Sequence, residues 1–338
     1  MSGRSAGAAV AVLGAGSWGT ALAIHFARSG RPVRLWGRNT ERLAAMAARR
    51  CNERYLPSAP FPPALEVEPD LRAALGGARD VLVVVPSPAL REMLTQLLPH
   101  LVPAMHVAWA TKGFEQGSLK LPHQVAREVL GVERRIAVVS GPTFAREVGA
   151  GLPTAMTVAS PDASYAQALA RELSSENFRA YTSTDILGVE IGGAVKNALA
   201  VGAGLSDGLG FGANTRVALI TRGLKEMTRL GVALGARAET FMGLAGLGDL
   251  VLTCTDDQSR NRRFGLLLAA GRSPEAALEE IGQAVEGYAA ARAIEAVAAR
   301  AAVEMPLCAM VYRVLYEKLP ARDAVRALMS RPIKAEAE

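Results

Sequence analysis

Apolar residues in the first half of the chain gather in short continuous runs, at residues 8–13, 32–36, 81–85, 106–110 and 136–139. A run of that length suits a parallel strand covered on both faces. Helix-forming stretches lie between the runs; residues 17–29, for example, stop at Gly30, and glycine is the usual residue just past a helix end. Alternation of strand, helix and strand predicts a mainly parallel, doubly wound sheet. Beyond about Leu187 the texture changes to Ala/Leu/Gly-rich helical patterns at residues 188–204, 216–234, 274–281 and 287–302, with no comparable strand run. The expected architecture is an α/β sheet domain over residues 8–184 followed by an all-α domain over 185–330, with ligands held between the halves. Residues 1–7 read as a short tail.

The first apolar run leads directly into Gly14-Ala15-Gly16-Ser17-Trp18-Gly19. A G-x-G-x-x-G alone is weak evidence, but here it follows a strand, opens a helix and has a second strand beyond it, the setting of a Rossmann-type dinucleotide site. Gly14 permits the tight turn, Gly16 lets a pyrophosphate approach the backbone, and Gly19 allows close helix packing, while the helix N-terminus favours negative charge. The plain alternative is a glycine-rich turn without a ligand. An acidic residue at the end of the second strand would mark a site for NAD alone. The sequence there is Trp36-Gly37-Arg38-Asn39, and the nearest acid is Glu41. Arg38 puts a cation where a 2′-phosphate would sit, so NADP(H) is expected beside NAD(H), unless Arg38 is only a solvated loop arginine.

Ligands of open parallel sheets lie beyond the carboxyl ends of the strands. One such end carries Lys112-Gly113, an ammonium beside flexible backbone, and another carries Gly141-Pro142-Thr143-Phe144, whose N–H groups and hydroxyl suit an oxyanion. Val85-Pro86-Ser87-Pro88 is equally a rigid turn or a cofactor contact. All four histidines, His25, His100, His106 and His123, precede the helical half, so an acid/base group supplied by that half is not histidine. Lys196 stands in an apolar segment whose other charge is Glu190, with Gly192, Gly193, Leu199 and Ala200 on its helix face. Small neighbours are expected to leave room for a ligand at an ammonium whose burial would favour proton exchange. Asp249, in Gly246-Leu247-Gly248-Asp249, is read as a partner for Lys196, an acceptor for a substrate hydroxyl, or a helix cap. Ser259-Arg260-Asn261-Arg262-Arg263 precedes the helical run 264–270, which makes it an anion site at a helix N-terminus or a solvated basic face.

Composition narrows the picture further. With 338 residues, 50% apolar and 21% charged, the chain can bury a core in about two domains. Cys51, Cys254 and Cys308 are far apart and suggest neither disulfides nor a metal site. A reducing cytoplasm is therefore expected, with no signal peptide and no apolar run near the roughly 18 residues of a membrane span. The net charge of +6 comes from scattered residues, so nucleic acid is not an expected partner.

Six motifs occur in one order: Gly14-Ala-Gly-Ser-Trp-Gly-Thr, Ala110-Thr-Lys-Gly, Ser140-Gly-Pro-Thr-Phe-Ala, Gly193-Ala-Val-Lys-Asn, Gly246-Leu-Gly-Asp and Ser259-Arg-Asn. Together they resemble bacterial NAD(P)-dependent glycerol-3-phosphate dehydrogenase over about residues 10–328. The resemblance implies reversible reduction of dihydroxyacetone phosphate to sn-glycerol 3-phosphate, feeding phospholipid synthesis. It implies Lys196 as proton donor and acceptor, with Lys112, Gly141, Thr143, Asp249, Ser259, Arg260 and Asn261 around the substrate. It further implies Ser17, Trp18, Arg38, Lys112, Ala145, Arg260 and Glu286 at the cofactor, with Tyr55 near the adenine end; a homodimer is a guess that neither the residues nor the resemblance carries. Ala284 would adjoin the cofactor, although the family usually has a larger aliphatic residue there. A hydroxy-acid dehydrogenase of similar build and a non-catalytic dinucleotide sensor are the alternatives.

Overall fold

The computed structural model describes residues 9–332 and 335; the tail and residue 8 of the first expected strand lie outside them. Two compact units meet in sequence after Glu190. The first begins β1 (Ala9–Leu13), α1 (Ser17–Arg28), β2 (Val33–Trp36) and α2 (Thr40–Arg49). A small hairpin, β3 (Cys51–Asn52) and β4 (Leu56–Pro60), then leads to β5 (Leu65–Val67), α3 (Leu71–Leu75) and β6 (Ala78–Val83). There follow α4 (Leu90–Leu97), β7 (His106–Trp109), α5 (Pro122–Leu130), β8 (Ile136–Ser140) and α6 (Ala145–Ala150). The unit's last elements before the long helix are β9 (Thr154–Ala159), α7 (Ala163–Leu173) and β10 (Phe178–Ser183).

Eight strands form one sheet in the order β10-β9-β8-β7-β6-β1-β2-β5. All neighbours are parallel except β8 and β9. The chain runs outward from β1 through β2 to β5, then returns to β6 on the other flank of β1. The order thus reverses between β1 and β6, the place where doubly wound sheets open a crevice beyond their strand ends. The apolar runs became the central strands, their side chains fully buried from Val10, Val12, Leu35, Leu82, Ala108 and Val139 and covered by Leu22, Ile24 and Phe26 of α1. The sequence reading missed β5, β9 and β10 of this sheet and the β3–β4 hairpin; an outer strand such as β10 (FRAYTS, mostly half-buried or exposed) has no continuous apolar run.

The division falls inside α8 (Ile186–Gly208), and from there the second unit is helical among the described residues, with α9 (Gly212–Ala233), α10 (Ala238–Phe241), a π-turn (Leu244–Gly248) and α11 (Asp249–Thr255). It continues with α12 (Arg260–Ala269), α13 (Pro274–Ile281), α14 (Glu286–Arg300), α15 (Pro306–Tyr316) and α16 (Ala321–Met329). By length and composition α8 is apolar enough to cross a bilayer, which corrects the expectation that no run comes near that limit. Its most apolar window is 94% buried, the environment of a core helix. Glycines make this burial possible. A Cβ on Gly204 would collide with the Arg262 carbonyl, one on Gly265 with the Val201 carbonyl, and one on Gly287 would stand 2.5 Å from the Asn197 carbonyl oxygen. Backbone therefore rests on backbone along α8.

Candidate active site

In the first unit the glycine turn lies between β1 and α1, tied down by Gly14 N–H to the Trp36 carbonyl at 2.8 Å. Gly14 has φ +126°, a region that L side chains rarely adopt, and its Cβ would collide with the Val84 carbonyl. Gly19 is equally closed, by the Gly14 carbonyl. Gly16 differs: a Cβ there would meet nothing within 4 Å. Packing demands the first and third glycines, while the second faces open space in a cavity of about 480 Å³. The first turn of α1 holds no acid, and its N-cap Gly16 makes no side-chain cap, so its N–H groups suit an anion. The residues present fit a dinucleotide pyrophosphate.

The same cavity brings Gly14, Gly16, Arg38 and Tyr55 together, and adds Asn39 and Arg42. Asn39 caps α2 by accepting from Arg42 N at 2.8 Å. Neither Arg38 nor Arg42 makes a side-chain hydrogen bond or ion pair among the described residues, so two exposed guanidiniums flank the start of α2. The guanidinium of Arg54 lies 5.5 Å from the Tyr55 ring centroid. Ser17, Trp18, Gly19, Lys112 and Ala145 do not line this cavity. Lys112 is half-buried after β7, where the Thr111 hydroxyl donates to the Val85 carbonyl at 2.7 Å. Gly141 is packed against Met156, the Thr143 hydroxyl donates to the Gly141 carbonyl at 3.3 Å, and Ala145 begins α6.

In the second unit Lys196 is 7% exposed and its Nζ donates to Asp249 Oδ1 at 2.8 Å and to the Thr253 hydroxyl at 2.8 Å. The Thr253 hydroxyl in turn donates to the Asp249 carbonyl at 2.6 Å. Of the three readings of Asp249, the pairing with Lys196 is the one the geometry displays. The space expected beside Gly192 is filled, because its Cβ would stand 2.5 Å from the Ala245 carbonyl oxygen. The small residue seats the π-turn that delivers Asp249. Burial also pushes the neighbouring Cys254 thiol up to about 12, so it stays protonated at neutral pH.

Ser259 caps α12 by accepting from Arg262 N at 3.2 Å, which sets the helix start at Arg260 rather than at 264. The basic cluster then divides. Arg262 turns inward to Asp207 at 2.7 Å, Arg263 faces solvent, and the guanidinium of Arg260, half-buried in the first turn, makes no hydrogen bond or ion pair among the described residues. Asn261 donates through Nδ2 to Asn197 Oδ1 at 2.8 Å and accepts the Gly287 N–H at 2.8 Å. Asn197 also donates to Glu286 at 3.0 Å. These bonds lock the residue after Lys196 to the residue after Arg260. Ala284 is exposed and joins neither network.

The decisive similarity is along the whole chain. Residues 9–166 match the model of the NAD-dependent glycerol-3-phosphate dehydrogenase N-terminus, and residues 185–326 that of the C-terminus. The chain belongs to this family. It is 59% identical over 327 residues to the glycerol-3-phosphate dehydrogenase (NAD(P)+) of Thioalkalivibrio sulfidiphilus, covering 97% of this chain and 98% of that one. The enzyme of the same name from Aeromonas hydrophila is 55% identical over 329 residues, with the same coverage of 97% and 98%. The solved glycerol-3-phosphate dehydrogenase of Coxiella burnetii superimposes with a TM-score of 0.92 at 48% identity, covering 96% of this chain and 99% of that one.

Within this glycerol-3-phosphate dehydrogenase fold, sequence reasoning passed over Arg42, Asn197, Thr253 and Glu190. Thr253 lies one helical turn after Asp249, a spacing that places both on one face. Glu190 had a clear signal, an acid set among apolar residues in a helix whose other acid, Asp207, lies at its far end; such a group must find donors when buried. It finds Trp109 Nε1 at 2.9 Å, the His123 N–H at 2.9 Å and His123 Nδ1 at 2.6 Å. Burial pushes its carboxyl up, while the His123 and Trp109 bonds pull it back.

The glycines separate fold from ligand. Gly16→Ala should leave the melting temperature unchanged and weaken NADPH binding at least about tenfold, since its methyl fills the pyrophosphate approach; Gly14→Ala should lose both. Fluorescence titration alongside thermal melts checks this, and normal NADPH affinity in Gly16→Ala would place the pyrophosphate elsewhere.

Proposed function

We propose that the protein reduces dihydroxyacetone phosphate reversibly to sn-glycerol 3-phosphate with NADPH or NADH, as a cytoplasmic enzyme supplying glycerophospholipid synthesis. Family membership supports the reaction, and three free thiols suit a reducing compartment. The observation that carries the chemistry is the buried Lys196–Asp249 pair on a frame tied to Arg260 by the Asn197–Asn261 bond.

The bound reduced nicotinamide supplies the hydride. Lys196 holds at Nζ the proton that the substrate oxygen needs when hydride arrives, and takes it back in the reverse direction. Asp249 and Thr253 fix the direction of that Nζ and exclude water from two of its three donor positions. Arg260 and the first N–H groups of α12 hold the phosphate, where a guanidinium and a helix N-terminus both favour a dianion. Asn261 offers its backbone N–H to that anion, because its side chain is committed to Asn197 and Gly287. Lys112, Gly141, Thr143 and Ser259 complete the substrate's polar surroundings, and Glu286 steadies Asn197. The glycine turn with Ser17 and Trp18 holds the pyrophosphate, with Tyr55 toward the adenine.

Parallel assays with NADPH and NADH test the reading: dihydroxyacetone phosphate should oxidise both. Turnover of a keto acid but not of dihydroxyacetone phosphate would sink it. Arg38→Asp should raise the KM for NADPH roughly ten- to hundredfold, the worth of a charge-assisted bond, and leave that for NADH within about threefold. Equal effects on both cofactors would remove Arg38 from the 2′-phosphate.

A further inference from the structure

The stretch from Ala110 to Leu121, between β7 and α5, carries Lys112 and contains no helix or strand. Loops of this kind hold a functional group only as well as their ends are held. Both ends here converge on one carboxylate. Trp109, the last residue of β7, donates its indole N–H to Glu190 Oε1 at 2.9 Å. His123, in the first turn of α5, donates its backbone N–H to the same oxygen at 2.9 Å and places Nδ1 2.6 Å from Oε2. Glu190 is 3% exposed, so this is a dry, three-point clasp. Further bonds brace the span: Ala110 N–H to the Val83 carbonyl at 2.9 Å near its start, and Arg91 to Glu115 at 2.7 Å further on.

We propose that Glu190 is a positioning residue for the reaction, clasping the two ends of the 110–121 loop so that Lys112 is presented to the substrate. The inference rests on the reading of Lys112 as a substrate residue. A buried carboxylate shared by three donors resists displacement more than any one bond would, since removing it orphans all three. Displacing a binding group by about 1 Å can cost up to roughly a hundredfold in rate, so the clasp is large enough an effect to read kinetically.

The test is a double-mutant cycle on kcat/KM for dihydroxyacetone phosphate, using Lys112→Ala, Glu190→Leu and both together. Lys112→Ala should lower kcat/KM, and Glu190→Leu should lower it about tenfold or more, with the Kd for NADPH changed no further than Lys112→Ala changes it. In the double variant the second substitution should add less than about twofold, because Glu190 acts through Lys112. Glu190→Gln keeps an oxygen for Trp109 and the His123 N–H and should restore near-normal kinetics. Should Glu190→Leu fail to fold, Trp109→Phe removes one donor of the clasp and enters the same cycle. Multiplying losses, or a slow Lys112→Ala beside a normal Glu190→Leu, would overturn the proposal alone. A normal Lys112→Ala would overturn the Lys112 reading and the proposal with it.

Discussion

Lys196→Ala should cut kcat by about 10²–10⁴-fold, the usual worth of a placed acid/base group, while NADPH binds as before. The glycine turn and Arg38 belong to the first unit and are untouched by the change. The other groups of the described helical half considered for this role are poorly suited to take over. The helical half has no histidine, Thr253 and the burial-raised Cys254 thiol hold their protons at neutral pH, and a guanidinium such as Arg260 does not release one. Lys196→Arg should therefore fail to rescue turnover although it keeps the charge. Stopped-flow single turnovers beside NADPH titration measure both quantities, and a kcat within about threefold of the parent would remove Lys196 from the chemistry.

Asp249→Ala should be the most destabilising single change at the site, by about 3–5 kcal/mol, because it strands an ammonium in the protein interior. The pair is 7% and 2% exposed, and the Thr253 hydroxyl, which stays beside the ammonium, is neutral and cannot balance its charge. Replacing both members, as in Lys196→Met with Asp249→Leu, removes the charges together and should recover most of that loss, since apolar replacements of buried ion pairs are often neutral. The double variant would be stable and inactive. Urea midpoints for the three proteins decide the matter; an Asp249→Ala midpoint equal to the parent's would mean that the ammonium finds water when its partner is gone.

Features set by neighbours in sequence were legible. The run before Gly14, the turn itself and α1 are consecutive, and each needs only local sterics and periodicity to be recognised. Arg38 was legible for the same reason, standing at the end of β2. Long separations were harder: the Lys196–Asp249 pair, across 53 residues, was one of three readings the sequence left open, and the Asn197–Asn261 bond, across 64, stayed hidden. The glycines of the helical half misled in an instructive way. Gly192 read as room for a ligand, but smallness serves backbone contact as readily as binding, and the choice is made by the Ala245 carbonyl. Outer strands such as β10 escaped because an edge does not require the unbroken apolar sequence of the sheet's middle.

The glycine seats of α8 also govern how the enzyme can change. Each closes one flank of the helix that carries Lys196 to even a single added methyl, so drift or deliberate diversification along those flanks is filtered out before activity is tested. Sequence change is tolerated instead at positions with space, such as the exposed Arg263 and the solvent-facing Ala284 two residues before Glu286. Substitutions there leave the helix contacts in place, whereas those at Gly204, Gly265 or Gly287 test folding first.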